Sequence, residues 1–250
     1  MACKPAQLYA VVVSIAALVL GPQFPPGEAS GLHASESRIC VQEKKPVRQD
    51  WDEFDREQDR KWDIDGLLNG LDIRPGQIIG DLGAGWGYLT LKLARLVSPG
   101  GKVYAEDINA RFLKALEARA SERGLTNIEI ILGGEYEPRF PTGQLDLIVM
   151  RAVIQFIDDR PRFLRAAGAG LKEDGRFVII EGENGDSSPD DGVFGSGGFP
   201  TRKGFLEIFR RAGLVLISAE TNRVGGTLRT GVPQMTVFLL KREVGSRLLP

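Results

Sequence analysis

The chain has 250 residues, a length that suits one α/β domain with an extension. Hydrophobic residues make up 42% of it and the formal net charge is -1, so a large core is available and no overall charge draws the chain to nucleic acid or anionic lipid. Its single histidine is His33, so residues 41–250 hold no Ser-His-Asp or Cys-His arrangement and no histidine-containing zinc site. We expect no metal and no nucleic-acid partner, and oligomeric state is not indicated.

The N-terminus has the pattern of a secretory signal. Lys4 precedes an apolar run from Leu8 to Leu20, which has the length of a signal-peptide core and is short for a membrane span. Small residues, among them Ala29 and Gly31, then satisfy the rule for cleavage. We predict a signal peptide over residues 1–31, a linker over 32–50 and an exported protein. There are two alternatives. The apolar run is an uncleaved membrane anchor, or the start codon is misassigned and the protein is cytoplasmic.

From residue 51 to 250 we predict one domain in which strand and helix patterns alternate. Trp51 to Leu71 predicts one or two amphipathic helices. Repeated βα units then predict a doubly wound, seven-stranded, mostly parallel sheet whose last two strands pair antiparallel, because no helix separates them. Predicted strands cover Gln77–Asp81, Lys102–Glu106, Ile128–Leu132, Leu145–Met150, Arg176–Glu181, Leu214–Thr221 and Gln234–Lys241. Predicted helices cover Tyr88–Val97, Asn109–Arg123, Asp159–Leu171 and Thr201–Ala212.

A glycine-rich turn follows the first predicted strand. Asp81 ends that strand, and Gly83, Gly85 and Gly87 follow at every second position. A tight strand-to-helix turn needs positive φ or close approach of the backbone to a ligand, and a Cβ would obstruct both. The third glycine comes one residue earlier than in the Gly-x-Gly-x-x-Gly loop of dinucleotide folds, and a carboxylate precedes the first. This pattern favours a ligand with a cationic group over a pyrophosphate.

A second acid, Asp107, lies about 20 residues beyond the last glycine, at the exit of the second predicted strand. The two hydroxyls of a ribose need a bidentate acceptor of this kind. Glu106 lies beside it, and strand alternation turns one of the two acids toward the cleft and the other away. We predict Asp107 as the ribose ligand because it stands at the strand exit.

Together these residues resemble the class I S-adenosylmethionine (SAM) dependent methyltransferases, above all the bacterial group called methyltransferase type 11 or methyltransferase-domain proteins. The resemblance runs from Trp62 to Glu181, roughly half of the chain. It implies a Rossmann-like fold, SAM as cofactor and methyl transfer to an unidentified, small-molecule acceptor. The segments that carry it are Leu71–Gly76, Asp81–Thr90, Gly101–Asn109, Leu145–Val149 and Leu171–Arg176.

The resemblance also implies which residues contact the cofactor. In such families the glycine loop binds the methionyl part of SAM, the acid after the second strand binds ribose, and residues after the second and third strands flank adenine. The implied contacts are Asp81, Gly83, Ala84, Gly85, Gly87, Asp107, Ile108 and Glu135. The chain departs from the family pattern in two places: the acid after the third strand comes one residue late, at Glu135, and residues 150–156 hold none of the histidines found in related sequences.

Methyl transfer is an in-line displacement on a sulfonium, so much of the catalysis can come from alignment of the reactants and exclusion of water. A general base is needed only when the acceptor must lose a proton. The catalytic candidates are Arg151 and Glu181, at the exits of the fourth and fifth predicted strands. Arg151 either orients an anionic acceptor or is solvated and pairs with Asp158 or Asp159. The loop 182–200 is interpreted as a cover of the acceptor site or as disorder.

Two other functions compete with the methyltransferase hypothesis. The first is a non-catalytic protein that binds SAM on the same fold, suggested by the missing histidine and by an export signal that removes the chain from the cytosol, where SAM is made. The second is a nicotinamide-dependent dehydrogenase, which the glycine spacing and the closing strand pair disfavour.

Overall fold

The computed structural model describes residues 51–183, 200–222 and 234–243. The predicted signal peptide over 1–31 and the linker over 32–50 lie outside these residues, as does nearly all of the loop 182–200. These three assignments therefore stay predictions. Within the described residues no helix is both long and apolar enough to cross a membrane.

Six helices and seven strands alternate along the described residues, much as the sequence predicts. The helices are α1 (Trp51–Lys61), α2 (Ile64–Gly70), α3 (Tyr88–Leu96), α4 (Ala110–Glu122), α5 (Arg160–Gly168) and α6 (Arg202–Ala212). The strands are β1 (Ile78–Leu82), β2 (Lys102–Asp107), β3 (Ile128–Leu132), β4 (Leu145–Arg151), β5 (Leu171–Glu183), β6 (Leu214–Asn222) and β7 (Gln234–Arg242). A short 3-10 helix, Ile154–Phe156, follows β4.

Short polar side chains begin several helices, because their oxygens accept hydrogen bonds from the first unpaired backbone N–H groups. Asn109 accepts from the Arg111 N–H at 3.0 Å at the start of α4, and Thr201 accepts from Gly204 at 3.2 Å at the start of α6. Both helix starts are confirmed. Asp63 does the same for α2 and splits the predicted amphipathic region into two helices.

The fifth strand begins earlier than predicted. We predicted a helix that ends at Leu171 and then a strand over Arg176–Glu181. The four residues between them, 172–175, have the composition of a turn. In the structure β5 begins at Leu171, which pairs with Leu145 and is fully buried. The polar residues bulge out of the ladder, whose register shifts between Leu145 and Leu147. The burial of one leucine therefore outweighs the turn propensity of the next four residues.

The seven strands form one sheet in the order β3-β2-β1-β4-β5-β7-β6. The first five strands pair in parallel, and β7 runs antiparallel to both of its neighbours, β5 and β6. The predicted fold class, including the antiparallel last pair, is confirmed. Successive residues of the central strands enter different cores: Ile148 and Met150 pack with α5 and α6, whereas Leu147 and Val149 pack with α2 and α3.

This topology decides where a ligand can bind. The strand order reverses between β1 and β4, which lie side by side in the middle of the sheet. In open α/β sheets the crevice outside the carboxyl ends of the strands at such a reversal is the usual ligand site. The glycine-rich turn and Arg151 both lie at that edge, since they follow or end these two strands.

Candidate functional site

The glycine-rich turn joins β1 to α3 with its glycines in left-handed conformations. The φ angles are 73° at Gly83, 55° at Gly85 and 95° at Gly87, values that other residues adopt only at a cost. A Cβ on Gly83 would overlap the Val153 side chain, and one on Gly87 would overlap Leu116. A Cβ on Gly85 would meet nothing within 4 Å. Two of the glycines are therefore required by packing, and the middle one leaves an open face.

The turn is tied to the end of β2, which brings together parts of the predicted site that are far apart in sequence. The Ala84 N–H donates to the Glu106 carbonyl oxygen at 2.7 Å. The Gly85 N–H donates to Asp107 Oδ2 at 2.9 Å, and Asn109 N–H donates to Asp107 Oδ1 at 2.7 Å. The loop and the predicted ribose acid are thus direct neighbours.

Asp107 and Ile108 stand on the accessible side of this junction. Burial raises the pKa of Asp107, while the N–H groups of Asn109 and Gly85 oppose that shift because they stabilise the carboxylate. Each carboxylate oxygen keeps a second lone pair for a further donor. The Ile108 side chain is 60% exposed, an apolar surface beside a carboxylate, as an adenosine would require.

Asp81 is buried, so its position differs from that of an open cleft residue. It accepts a hydrogen bond from Thr90 Oγ1 of α3 at 2.5 Å. Burial raises its pKa to about 7, the Thr90 hydroxyl opposes this shift, and the neighbouring Asp107 adds to it. A cationic group placed nearby would favour the ionised form. The predicted contact with a methionyl ammonium is compatible with this site and stays a prediction.

Glu106 is a site residue that we did not select from the sequence. It is only 2% exposed, and its carboxylate lies beside the glycine turn: the Gly83 nitrogen is 3.4 Å from Glu106 Oε2. A Cβ on Gly133 would overlap its carboxylate. Burial and the charges of Asp107 and Asp81 raise its pKa to about 8. The sequence did contain a signal for this residue. Side chains alternate between the two faces of a strand, so an acid next to Asp107 is expected to point into the core.

Removing the ionisable group at Glu106 is expected to stabilise the protein at high pH. A carboxyl whose pKa is higher in the folded than in the unfolded chain loses stability as pH rises from its ordinary pKa, about 4.3, to the folded value. Glu106→Gln should therefore raise the free energy of unfolding at pH 8 by on the order of 2 kcal/mol and leave it nearly unchanged at pH 4. Urea unfolding at both pH values measures this.

The matched control is Glu129→Gln, an exposed acid of β3 paired with Lys102. This exchange should change stability little at either pH, since exposed ion pairs contribute about 0–1 kcal/mol. A Glu106→Gln protein that is less stable than the wild type at pH 8 would contradict the assignment of a destabilising buried charge.

Glu135, the predicted adenine contact, lies in the turn that follows β3. The start of this turn is fixed beside the ribose acid, because the Gly133 N–H donates to the Asp107 carbonyl oxygen at 3.1 Å. The Glu135 side chain itself is exposed. It therefore stands near the predicted cofactor edge, and its contact with a ligand remains a prediction.

Arg151 ends β4, and the predicted alternative of pairing with Asp158 or Asp159 is wrong. Its Nη2 donates to Gln58 Oε1 of α1 at 2.9 Å, and its guanidinium lies 5.2 Å from the centre of the Tyr88 ring. Asp159 instead caps α5. The 3-10 helix after β4 turns the chain away from Arg151, so residues close in sequence do not reach it.

Glu181, the other catalytic candidate, is fully buried near the end of β5. Its Oε1 accepts from the Val153 and Ile154 N–H groups at 2.5 and 2.8 Å. These bonds hold the turn after β4, in which Ala152 has a φ of 56°. Burial raises the pKa of Glu181 to about 7, and the two N–H groups, Arg151 and Arg160 oppose the shift. In the structure Glu181 holds the turn after β4 in place, and its catalytic role stays a prediction.

Helix α1 packs against the outer side of the glycine turn. The Trp86 ring stacks on Trp51 at 4.6 Å between ring centres and meets Phe54 edge-on at 4.8 Å, so these aromatic residues pack against one another. Arg119 of α4, 5% exposed, donates to the Trp86 carbonyl oxygen at 2.9 Å and forms an ion pair with Asp55. The sequence did not indicate that this helix would be tied to the turn.

Metal binding is not supported by the part of the chain that the structure describes. In residues 51–183, 200–222 and 234–243 no group of three or more His, Cys, Asp or Glu side chains is arranged to hold an ion. The acids at the site interact with backbone N–H groups and hydroxyls instead.

The known proteins that this chain resembles are methyltransferases. Residues 80–179 match the family described as "Methyltransferase domain". The chain is 34% identical over 113 residues to nocamycin O-methyltransferase of Saccharothrix syringae, covering 45% of this chain and 40% of that protein. It is 33% identical over 109 residues to ubiquinone/menaquinone biosynthesis C-methyltransferase UbiE of Vibrio parahaemolyticus, covering 43% and 42%. The chain thus spans about two fifths of the length of these curated relatives.

Solved structures with the same fold include a SAM-dependent methyltransferase from Aquifex aeolicus, with a TM-score of 0.61, 19% identity and coverage of 76% of this chain and 95% of that one. Another is geranyl diphosphate C-methyltransferase from Streptomyces coelicolor, with a TM-score of 0.57, 15% identity and coverage of 80% and 88%. At this identity the likeness concerns the fold alone, and it agrees with the sheet order described above.

Proposed function

We propose that this protein transfers a methyl group from SAM to a small-molecule acceptor, a proposal supported by the match of residues 80–179 to the methyltransferase-domain family. One observation carries the proposal. The open face of the turn at Gly85 lies directly beside a carboxylate, Asp107, whose oxygens retain free lone pairs. That arrangement suits an adenosine with its ribose on Asp107 and its base against Ile108.

The chain's residues would act mainly by positioning. SAM, when bound, supplies a methyl group activated by a sulfonium. The glycine turn and Asp107 fix the donor side, since both are locked to β2 by hydrogen bonds. The turn after β4, held by Glu181, forms the neighbouring wall. Rigid placement of two reactants and exclusion of water together account for large rate enhancements without an acid–base residue.

The acceptor class is the less specific part of the proposal. The names of the relatives include nocamycin, ubiquinone/menaquinone and geranyl diphosphate, all small molecules, which supports a small-molecule acceptor here. They differ in the atom that receives the methyl group, because the set holds both O- and C-methyltransferases. We therefore propose methyl transfer to a small molecule without choosing between oxygen and carbon.

Titration of the full chain with S-adenosylhomocysteine (SAH), followed by NADH, tests this function. SAH should bind with heat release at micromolar concentrations and NADH should not bind. Binding of NADH alone would favour the dehydrogenase alternative. Tight SAH binding with no transfer of labelled methyl from SAM to any member of an acceptor panel would favour the non-catalytic alternative. Failure to bind either ligand would exclude both the proposed function and its alternatives.

We also propose that residues 1–31 direct export of the chain, on the pattern of the apolar run and the small residues after it. N-terminal sequencing of the protein from its native host tests this. A mature N-terminus near residue 30 or 32 supports export, whereas an intact Met1 in the cytosolic fraction contradicts it.

A further inference from the structure

Arg151 is a largely enclosed guanidinium that has no carboxylate partner among the described residues. Its Nη2 donates to Gln58, its face lies over the Tyr88 ring, and its Nε is buried without any hydrogen-bond partner. An enclosed arginine is normally neutralised by a carboxylate or phosphate, and a buried N–H without a partner costs about 1–3 kcal/mol. Within the described residues no carboxylate forms an ion pair with this guanidinium, which can therefore accept an anionic ligand.

The position of Arg151 indicates which anion this is. Its neighbour Met150 pairs with Leu82, so Arg151 is level with Gly83 of the turn. Tyr88, over which it lies, is the first residue of α3, directly after the last glycine. The guanidinium thus faces the start of the helix behind the turn, at the β4 side. Asp107 and Ile108 lie on the opposite, β2 side of the same turn.

The charges around Arg151 fit an amino acid zwitterion. Asp81, at the end of the adjacent strand β1, offers a carboxyl for an ammonium group, and Arg151 offers a cation for a carboxylate. Burial lowers the pKa of Arg151, and the charges of Tyr88, Glu181, Asp81 and Asp59 oppose this shift. A guanidinium keeps its charge in proteins. An adenosine bound on Asp107 would extend its methionyl part across the turn toward this pair.

We propose that Arg151 binds the α-carboxylate of the methionyl part of the cofactor and that Gln58 positions the guanidinium for this contact. The inference rests on the proposed function, because it assigns one end of the same ligand. It gives the enclosed Nε–H an acceptor. It also gives α1 a part in cofactor binding, since Gln58 is the residue of that helix that reaches Arg151.

A comparison of two ligands tests the proposal without any turnover. SAH carries the amino acid group, whereas 5′-methylthioadenosine has the same adenosine and thioether without it. Arg151→Met should weaken SAH binding about 30-fold, the loss expected for one charged, hydrogen-bonded pair, and leave 5′-methylthioadenosine binding within about twofold. Arg151→Lys keeps the charge and loses the planar fork, so it should weaken SAH about fivefold. It also serves if the methionine variant does not fold.

Two further variants separate a ligand contact from a structural one. Gln58→Ala should weaken SAH less than Arg151→Met does, because the cation remains. Arg210→Met, an exposed arginine of α6 paired with Glu207, should change neither ligand. Calorimetric titration of each variant gives all the constants required.

Two results would overturn the inference, and a third would refute the proposed function on which it rests. Equal weakening of SAH and 5′-methylthioadenosine by Arg151→Met would show that Arg151 only supports the fold of the site. Unchanged SAH binding would show that Arg151 serves an anionic acceptor or no ligand. A wild-type protein that binds neither compound would instead refute the proposed function, an outcome that the wild-type titration alone distinguishes from the other two.

Discussion

Replacing Asp107 with alanine is expected to weaken SAH binding by about 100-fold, the upper range for loss of a charged, bidentate acceptor. Two effects add up. The carboxylate is the proposed acceptor for both ribose hydroxyls, and it also holds the Gly85 N–H at 2.9 Å and thereby orders the open part of the turn. Calorimetric titration of the wild type and the variant measures the change.

The control for this substitution is Glu117→Ala, which removes an exposed carboxylate of α4. It should leave SAH binding unchanged. Thermal unfolding of both variants shows whether the Asp107→Ala protein remains folded at the temperature of the titration. A folded Asp107→Ala protein with wild-type affinity would remove the ribose assignment and, with it, the main support for the site.

Alanine substitutions at two glycines of the turn should have different effects: one should lower stability and the other should mainly weaken SAH binding. Gly87→Ala forces a side chain into a left-handed backbone at φ 95° and into the space of Leu116, which is fully buried. Backbone strain of about 1–2 kcal/mol and overpacking of about 1–3 kcal/mol together predict a loss of about 3 kcal/mol in the free energy of unfolding. Urea unfolding measures this loss.

Gly85→Ala is the matched comparison, since it adds the same methyl group two residues away. Its φ of 55° lies in the left-handed region and its Cβ meets nothing, so only about 1 kcal/mol of stability should be lost. The methyl group would stand in the face that we assign to the cofactor, and SAH binding should fall at least tenfold. Similar stability of the two variants, or full SAH binding by Gly85→Ala, would contradict this division of roles.

The fold and the glycine-rich turn were predictable because each depends on a local pattern. Alternating βα periodicity predicts a parallel sheet, and the absence of a helix between the last two strands predicts their antiparallel pairing. Both are confirmed by the strand order and by the pairing of β7. The resemblance to class I methyltransferases is confirmed for residues 80–179, which include the glycines and Asp107.

Contacts between distant segments could not be predicted, because nothing in a local pattern encodes them. Arg151 meets Gln58, 93 residues away, and the ion pair of Arg119 with Asp55 joins residues 64 apart. The sequence suggested Asp158 or Asp159 for Arg151 on proximity alone, and the turn after β4 directs those residues elsewhere. Burial of Glu106 and Glu181 likewise depends on which strands become central.

By itself, therefore, the sequence determined the class of fold, the position of the glycine-rich turn and the acid beside it, since spacing along one chain segment is sufficient to define them. Only the tertiary structure decided that Gly85, among the three glycines of the turn, leaves an open face, that Glu181 holds the turn after β4 and that Arg151 has no carboxylate partner among the described residues. These properties arise from packing of strands and helices that are remote in the chain, and packing sets both burial and the charges that each group meets.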